Sequence, residues 1–246
     1  MNVTKTQFKF FLWNGKNICS FTLICFIFFL NLPRMKTKHR RFAFFCLAAI
    51  LVIVIMARAC SGTGKSRCIL PGDCTLQTGD VVFRRGSGVT SRTVIALDQK
   101  GEYSHVGIVV DSAGVKMVVH AVPGEPDYEG DPDRVKMDTP ETFFSSVYAQ
   151  LGEVCRPKDS LVACKAAEEA LKIYRRNTLF DHDYDDRDTT RMYCTELVVH
   201  AFQKAGVGLV GEERHRVNVP ILEVECMFPS DLLNSDYLES VAGKFH

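Results

Sequence analysis

The sequence predicts an α+β domain carried behind a basic, apolar N-terminal region. Three observations lead there. Short apolar strands bounded by turn residues dominate residues 78–156, and helical patterns dominate the rest of the chain. Residues 1–60 hold nine Lys and Arg and no Asp or Glu. The other 21 basic residues therefore face all 29 acidic ones, a net charge of −8 for residues 61–246. Finally, Cys194 heads a helical run well after a hairpin that bears a histidine on each strand.

Two apolar runs occupy the N-terminal region. Residues 18–32 are mostly apolar, and residues 42–57 carry no charge. Between them lies the basic cluster 34–41. From Met35 onward the order is that of an export signal: basic, apolar, then small residues. Met35 is accordingly a candidate start. Cys60, after Ala59, resembles the lipidated cysteine of a bacterial lipoprotein signal, although Arg58 departs from that pattern. The alternative is an uncleaved anchor. Residues 42–57 are shorter than the span of about twenty residues that a bilayer asks for, but tilt and thinning accommodate this. The basic cluster predicts that the side before residue 42 stays cytoplasmic and the body faces outward. The membrane is thus an expected partner through this segment, and the cell envelope is the expected location. Nucleic acid is not expected, because the acidic body lacks the clustered Lys and Arg that phosphates require. Residues 62–66 lack the four-residue spacer and preceding strand of a Walker phosphate loop, so 61–77 reads as a linker.

The domain then spans 78–246. Gly79-Asp80 turns into a strand ending near Gly86, and residues 90–97 form a short helix. Residues 105–110 and 117–122 make a hairpin closed by Asp111–Gly114, with His105 and His120 on its strands. Glu125 to Asp133 is an acidic, turn-rich loop, read as a lip over a site. A strand at 134–137, a short helix at 140–145 and a strand at 148–156 come next. Residues 159–176 place apolar side chains at helical spacing. Residues 180–188 alternate carboxylates but lack the glycine and closing glutamate of an EF-hand, so they read as a solvated loop. Asp188, Thr189 and Thr190 offer caps for the Cys194 helix, which Ala205-Gly206 ends. Residues 228–233 read as a capped short helix.

The chemistry begins at Cys194. A thiol in the first turn of a helix meets unpaired amides and the positive end of the helix dipole, which favour the thiolate. His105 at the start of one strand and His120 on the next are placed to serve it as base and partner. The Cys194 amide and a donor such as Tyr103 or Tyr193 are candidates for the oxyanion site. Two other readings use the same atoms. One is a His–His–Cys zinc site. The other is a binding module with an inert cysteine. No Cys-x-x-Cys pair occurs, and no cofactor is expected. Cys68 and Cys74 could close a small loop in an oxidising compartment.

Ser104-His105-Val106-Gly107-Ile108 followed by Val118-Val119-His120-Ala121 resembles the histidine hairpin of NlpC-type papain-like cysteine hydrolases. Tyr193-Cys194-Thr195-Glu196-Leu197 lies after it, as in the circularly permuted branch of that family, which includes the YiiX-like group and lecithin–retinol acyltransferase relatives. Gly79-Asp80-Val81-Val82-Phe83, the acidic Phe180–Tyr184 stretch and Phe228–Leu233 are similar to the same group. The resemblance covers about residues 76–235. It implies a papain-like antiparallel sheet packed by helices, with Cys194 as nucleophile, His105 as base and His120 as its orienting partner. It also implies cleavage of a cell-wall peptide or a lipid-like acyl amide.

Overall fold

A computed structural model describes residues 66–98, 101–211, 214–219 and 222–246. The two apolar runs and the export-signal reading lie outside these residues. Among the described residues, no helix is long and apolar enough to cross a membrane.

Among the described residues, ten strands and five helices form an α+β domain. In chain order they are β1 (Val81–Arg85), α1 (Val89–Leu97), β2 (His105–Ser112), β3 (Val115–Val122), β4 (Arg134–Asp138), α2 (Pro140–Phe143), β5 (Leu151–Pro157), α3 (Ser160–Arg175), β6 (Leu179–Phe180), β7 (Arg191–Met192), α4 (Cys194–Lys204), β8 (His215–Val219), β9 (Leu222–Cys226), α5 (Pro229–Leu233) and β10 (Leu238–Phe245). Eight strands make one sheet in the order β10-β5-β1-β2-β3-β4-β6-β7, and β8 with β9 form a separate hairpin. The sheet is mixed rather than purely antiparallel, because β6 and β7 run parallel while the other pairs are antiparallel.

The β2–β3 hairpin explains its own sharpness. Its turn is the two residues Ala113 and Gly114, with φ of 55° and 85°. Positive φ at both central positions matches the twist of the flanking strands. Asp111 accepts from the Gly114 amide at 2.8 Å and closes the turn. The strands therefore reach closer to the turn than the apolar pattern indicates.

Helices α3 and α4 pack on each other and on β2. Ala166, Ala167, Ala170 and Ile173 of α3 share one buried cluster with Leu197, Val198, Ala201 and Phe202 of α4, and small alanines allow the close approach. Asp159 caps α3, accepting from the amides of Leu161 and Val162 at 2.8 and 3.2 Å. A second, smaller apolar cluster lies around Val82, Val109, Val118, Phe143 and Phe144. Cys68, Ile69, Leu70, Cys74 and Leu76 pack against that cluster, and the Ile69 amide donates to Phe144 O at 2.9 Å. Residues 67–76, expected as linker, are thus part of the domain. Cys68 and Cys74 are both free thiols.

Candidate active site

The two histidines meet because a glycine leaves room. Gly107 on β2 faces His120 on β3, and a Cβ at 107 would lie 2.7 Å from Val118 Cγ1 and 3.1 Å from His120 Cβ. His120 therefore leans toward β2, and its Nδ1 sits 2.9 Å from His105 Nε2. Its other nitrogen, Nε2, lies 3.0 Å from Asp138 Oδ2, at the end of β4. The three side chains form a relay: Asp138, His120, His105.

The relay fixes its own tautomers. Burial pushes the Asp138 carboxyl up, but the His120 hydrogen bond and the Lys136 and Arg84 charges outweigh this and hold it below its usual range. Asp138 is then an ionised acceptor, so His120 Nε2 carries the proton. His120 Nδ1 must accept, so His105 Nε2 carries the next one. His105 Nδ1 is left with a free lone pair. Both imidazoles are neutral at rest. Burial lowers His105 well below the usual imidazole range, and Arg84 and His120 lower it further. Burial and Arg84 likewise lower His120 against the opposing pull of Asp138 and Glu125.

Cys194 opens α4 beside this relay. It lines a pocket of about 340 Å³ together with His105, Ser104, Arg84, Glu125, Tyr148, Tyr184 and Tyr193. The thiol is not depressed as the sequence suggests. Burial pushes its pKa up, against the Thr195 hydroxyl and the amides of Val106, Thr195 and Cys194 itself. At rest the pair is a thiol and a neutral imidazole. Asp188, Thr189 and Thr190 do not cap α4. The N-cap is Tyr193, whose amide donates to Glu196 Oε2 at 3.3 Å, while Asp188 is spent on the Thr190 amide at 2.8 Å.

The two tyrosines separate. Tyr193 lines the pocket, and its hydroxyl accepts from the Met227 amide at 3.2 Å. Tyr103 does not serve as an oxyanion donor. Its hydroxyl donates to Glu153 Oε2 at 2.7 Å inside the core, and it is absent from the pocket wall. An apolar strand surround drew that ring inward, and the sequence offered no sign that Glu153 would wait there as its acceptor.

Four polar residues of the site escaped the sequence reading. Asp138 completes the relay. Arg84, almost fully buried, donates to Phe143 O at 2.9 Å and to Glu125 Oε1 at 2.5 Å, and its guanidinium lies 4.7 Å above the Phe143 ring. Phe143 in turn packs edge-on to His120 at 5.1 Å. Lys136 donates to Asp127 Oδ1 at 2.6 Å and to Glu125 O at 2.9 Å, with Asp138 Oδ1 3.6 Å away. Tyr184 enters the wall from a left-handed backbone, φ 55°, and burial pushes its hydroxyl up to about 12, so it stays a donor. Arg84 follows the apolar Val81-Val82-Phe83 run of β1 and precedes a second Arg, so nothing in the strand's pattern marks it as buried.

The side chains described around Cys194 are not arranged to hold a metal ion. Among the described residues, no three His, Cys, Asp or Glu side chains converge on a point. The nitrogens His105 Nε2 and His120 Nδ1 face each other, so both are spent on one hydrogen bond rather than aimed at a common centre.

No protein family and no curated protein matches the chain by sequence. Among solved structures, the chain is similar to the metalloprotein YiiX from Escherichia coli O157:H7, at 21% identity and a TM-score of 0.54, over 68% of this chain and 96% of that one. At that identity the likeness shows the fold alone, which is YiiX-like.

Proposed function

We propose that this domain is a cysteine hydrolase of the circularly permuted, NlpC-type papain-like kind, cleaving an amide or ester bond through a Cys194 acyl-enzyme. The observation that carries the reading is the relay Asp138–His120–His105, whose last imidazole lines the same pocket as Cys194. Attack and deprotonation are coupled. As Cys194 Sγ bonds to the carbonyl carbon, its proton passes to His105 Nδ1, and the carbonyl oxygen takes up charge beside the first-turn amides of α4. His105 returns that proton to the leaving nitrogen or oxygen, the bond to it breaks, and a thioester remains. Water then attacks the thioester, losing its proton to His105, and the acid and the thiol are released. His120 and Asp138 hold the tautomer throughout.

A cell-wall peptide or a lipid-like acyl amide is the proposed substrate, and the cell envelope, through the N-terminal segment, the proposed location. The metal reading finds no support in the donor geometry. The test is turnover of peptide and acyl-ester panels with and without a chelator. The reading expects chelator-insensitive turnover that Cys194→Ala and His105→Ala each abolish. Turnover unchanged in either folded variant sinks it.

A further inference from the structure

Each histidine of the relay has a buried cation as its neighbour across the sheet. Arg84 pairs with His105 between β1 and β2, and Lys136 pairs with His120 between β3 and β4. Both cations reach the same residue of the lip. Arg84 holds the Glu125 carboxylate, and Lys136 holds the Glu125 carbonyl. The charged or titratable groups around the histidines are Arg84 from β1, Lys136 and Asp138 from β4, Glu125 and Asp127 from the lip, Tyr148 before β5, Tyr184 after β6, and Cys194 of α4 with its N-cap Tyr193; α2 contributes the uncharged Phe143 ring. Of these, Arg84 is the cation that opposes a proton on either ring, and the side chain that counters Arg84 is Glu125.

A guanidinium in so dry a place acts strongly on its neighbours, because the field of a charge grows as water is excluded. An uncompensated Arg84 would make the imidazolium costly and leave His105 a poor acceptor for the thiol proton. We propose that Glu125 is a positioning residue, outside the relay, that neutralises Arg84 and thereby keeps His105 able to take the proton of Cys194. The inference rests on the hydrolase reading only for the use to which that proton transfer is put.

The test is the alkylation of Cys194 by iodoacetamide across pH, read by peptide mass spectrometry on the full chain in nanodiscs. It needs no substrate. Glu125→Gln keeps the size and an acceptor for Arg84 but removes the charge. Its neutral-pH plateau should fall about tenfold and its acid limb should move about one pH unit lower, the range for losing one nearby charge. Arg84→Met should do the opposite on both counts, and the double variant should return close to wild type. If Arg84→Met does not fold, the comparison of Glu125→Asp with Glu125→Gln decides: Asp should stay within about threefold of wild type while Gln falls tenfold. A Glu125→Gln profile that superposes on wild type, or equal losses in Gln and Asp, overturns the proposal. Shifts as expected in a protein that hydrolyses nothing leave the pair standing and remove the hydrolase reading instead.

Discussion

Replacing Asp138 by Asn does more than delete a charge. Lys136 lies 3.6 Å from Asp138 Oδ1, so an amide at 138 turns its oxygen toward that ammonium and its NH₂ toward His120. His120 Nε2, now facing a donor at about the 3.0 Å of the native contact, must accept. The proton moves to His120 Nδ1, His105 Nε2 must accept it, and His105 carries its own proton on Nδ1. His105 Nδ1 can then no longer accept a proton. Asp138→Asn should therefore slow hydrolysis of a p-nitrophenyl acyl ester by about 10²–10⁴-fold, roughly 3–5 kcal/mol of barrier, the range for a base locked in its wrong tautomer. Asp138→Ala enforces no tautomer and should cost less, about 10–10²-fold. Nitrogen-15 histidine spectra should show both rings switching tautomer in Asn but not in Ala, with thermal melts to confirm the fold. An Asn variant within threefold of wild type, or an Ala variant worse than Asn, refutes the relay.

Gly107→Ala should displace His120 and cut turnover at least tenfold, since its Cβ meets Val118 Cγ1 at 2.7 Å, with a stability loss of about 1–3 kcal/mol visible by denaturant titration. Tyr103→Phe should leave turnover within twofold and lower stability by about 1–2 kcal/mol, because Glu153 loses a buried donor away from the pocket. Glu196 is buried with Oε1 unpartnered, and burial raises its carboxyl to about 8. The folded state thus binds more protons than the unfolded chain between its ordinary range and pH 8, so this group's contribution falls as pH rises through that window. Glu196→Gln should remove that slope, giving a larger gain in melting temperature at pH 8.5 than at pH 5.5; equal changes at both would contradict it.

The sequence carries the local parts of this molecule and not the long-range ones. The β2–β3 hairpin, α3 and α4 were legible because apolar period and turn chemistry are local, as Ala113-Gly114 and the Asp159 cap show. The two-residue strands β6 and β7 were not, because single pairings such as Leu179 with Arg191 leave no periodicity. Strand β10, with mostly exposed side chains, lacks the alternation of a half-buried strand. Cys194, His105 and His120 could be named because a nucleophile and imidazoles announce themselves by residue type. Asp138 could not, because one carboxylate among many becomes special only when β4 pairs with β3. The thiol's resting state inverted for a related reason: a helix N-terminus is visible in the sequence, but the desolvation that outweighs it belongs to the assembled pocket.

The proposed chemistry stands most directly on a covalent intermediate at Cys194. Wild-type protein mixed with a p-nitrophenyl acyl ester, acid-quenched within seconds and measured by intact-protein mass spectrometry, should carry one acyl group that maps to Cys194. The adduct should be absent from Cys194→Ala and should accumulate far more slowly in His105→Ala. No adduct on wild type during measurable turnover, or an adduct that persists in Cys194→Ala, would contradict the mechanism.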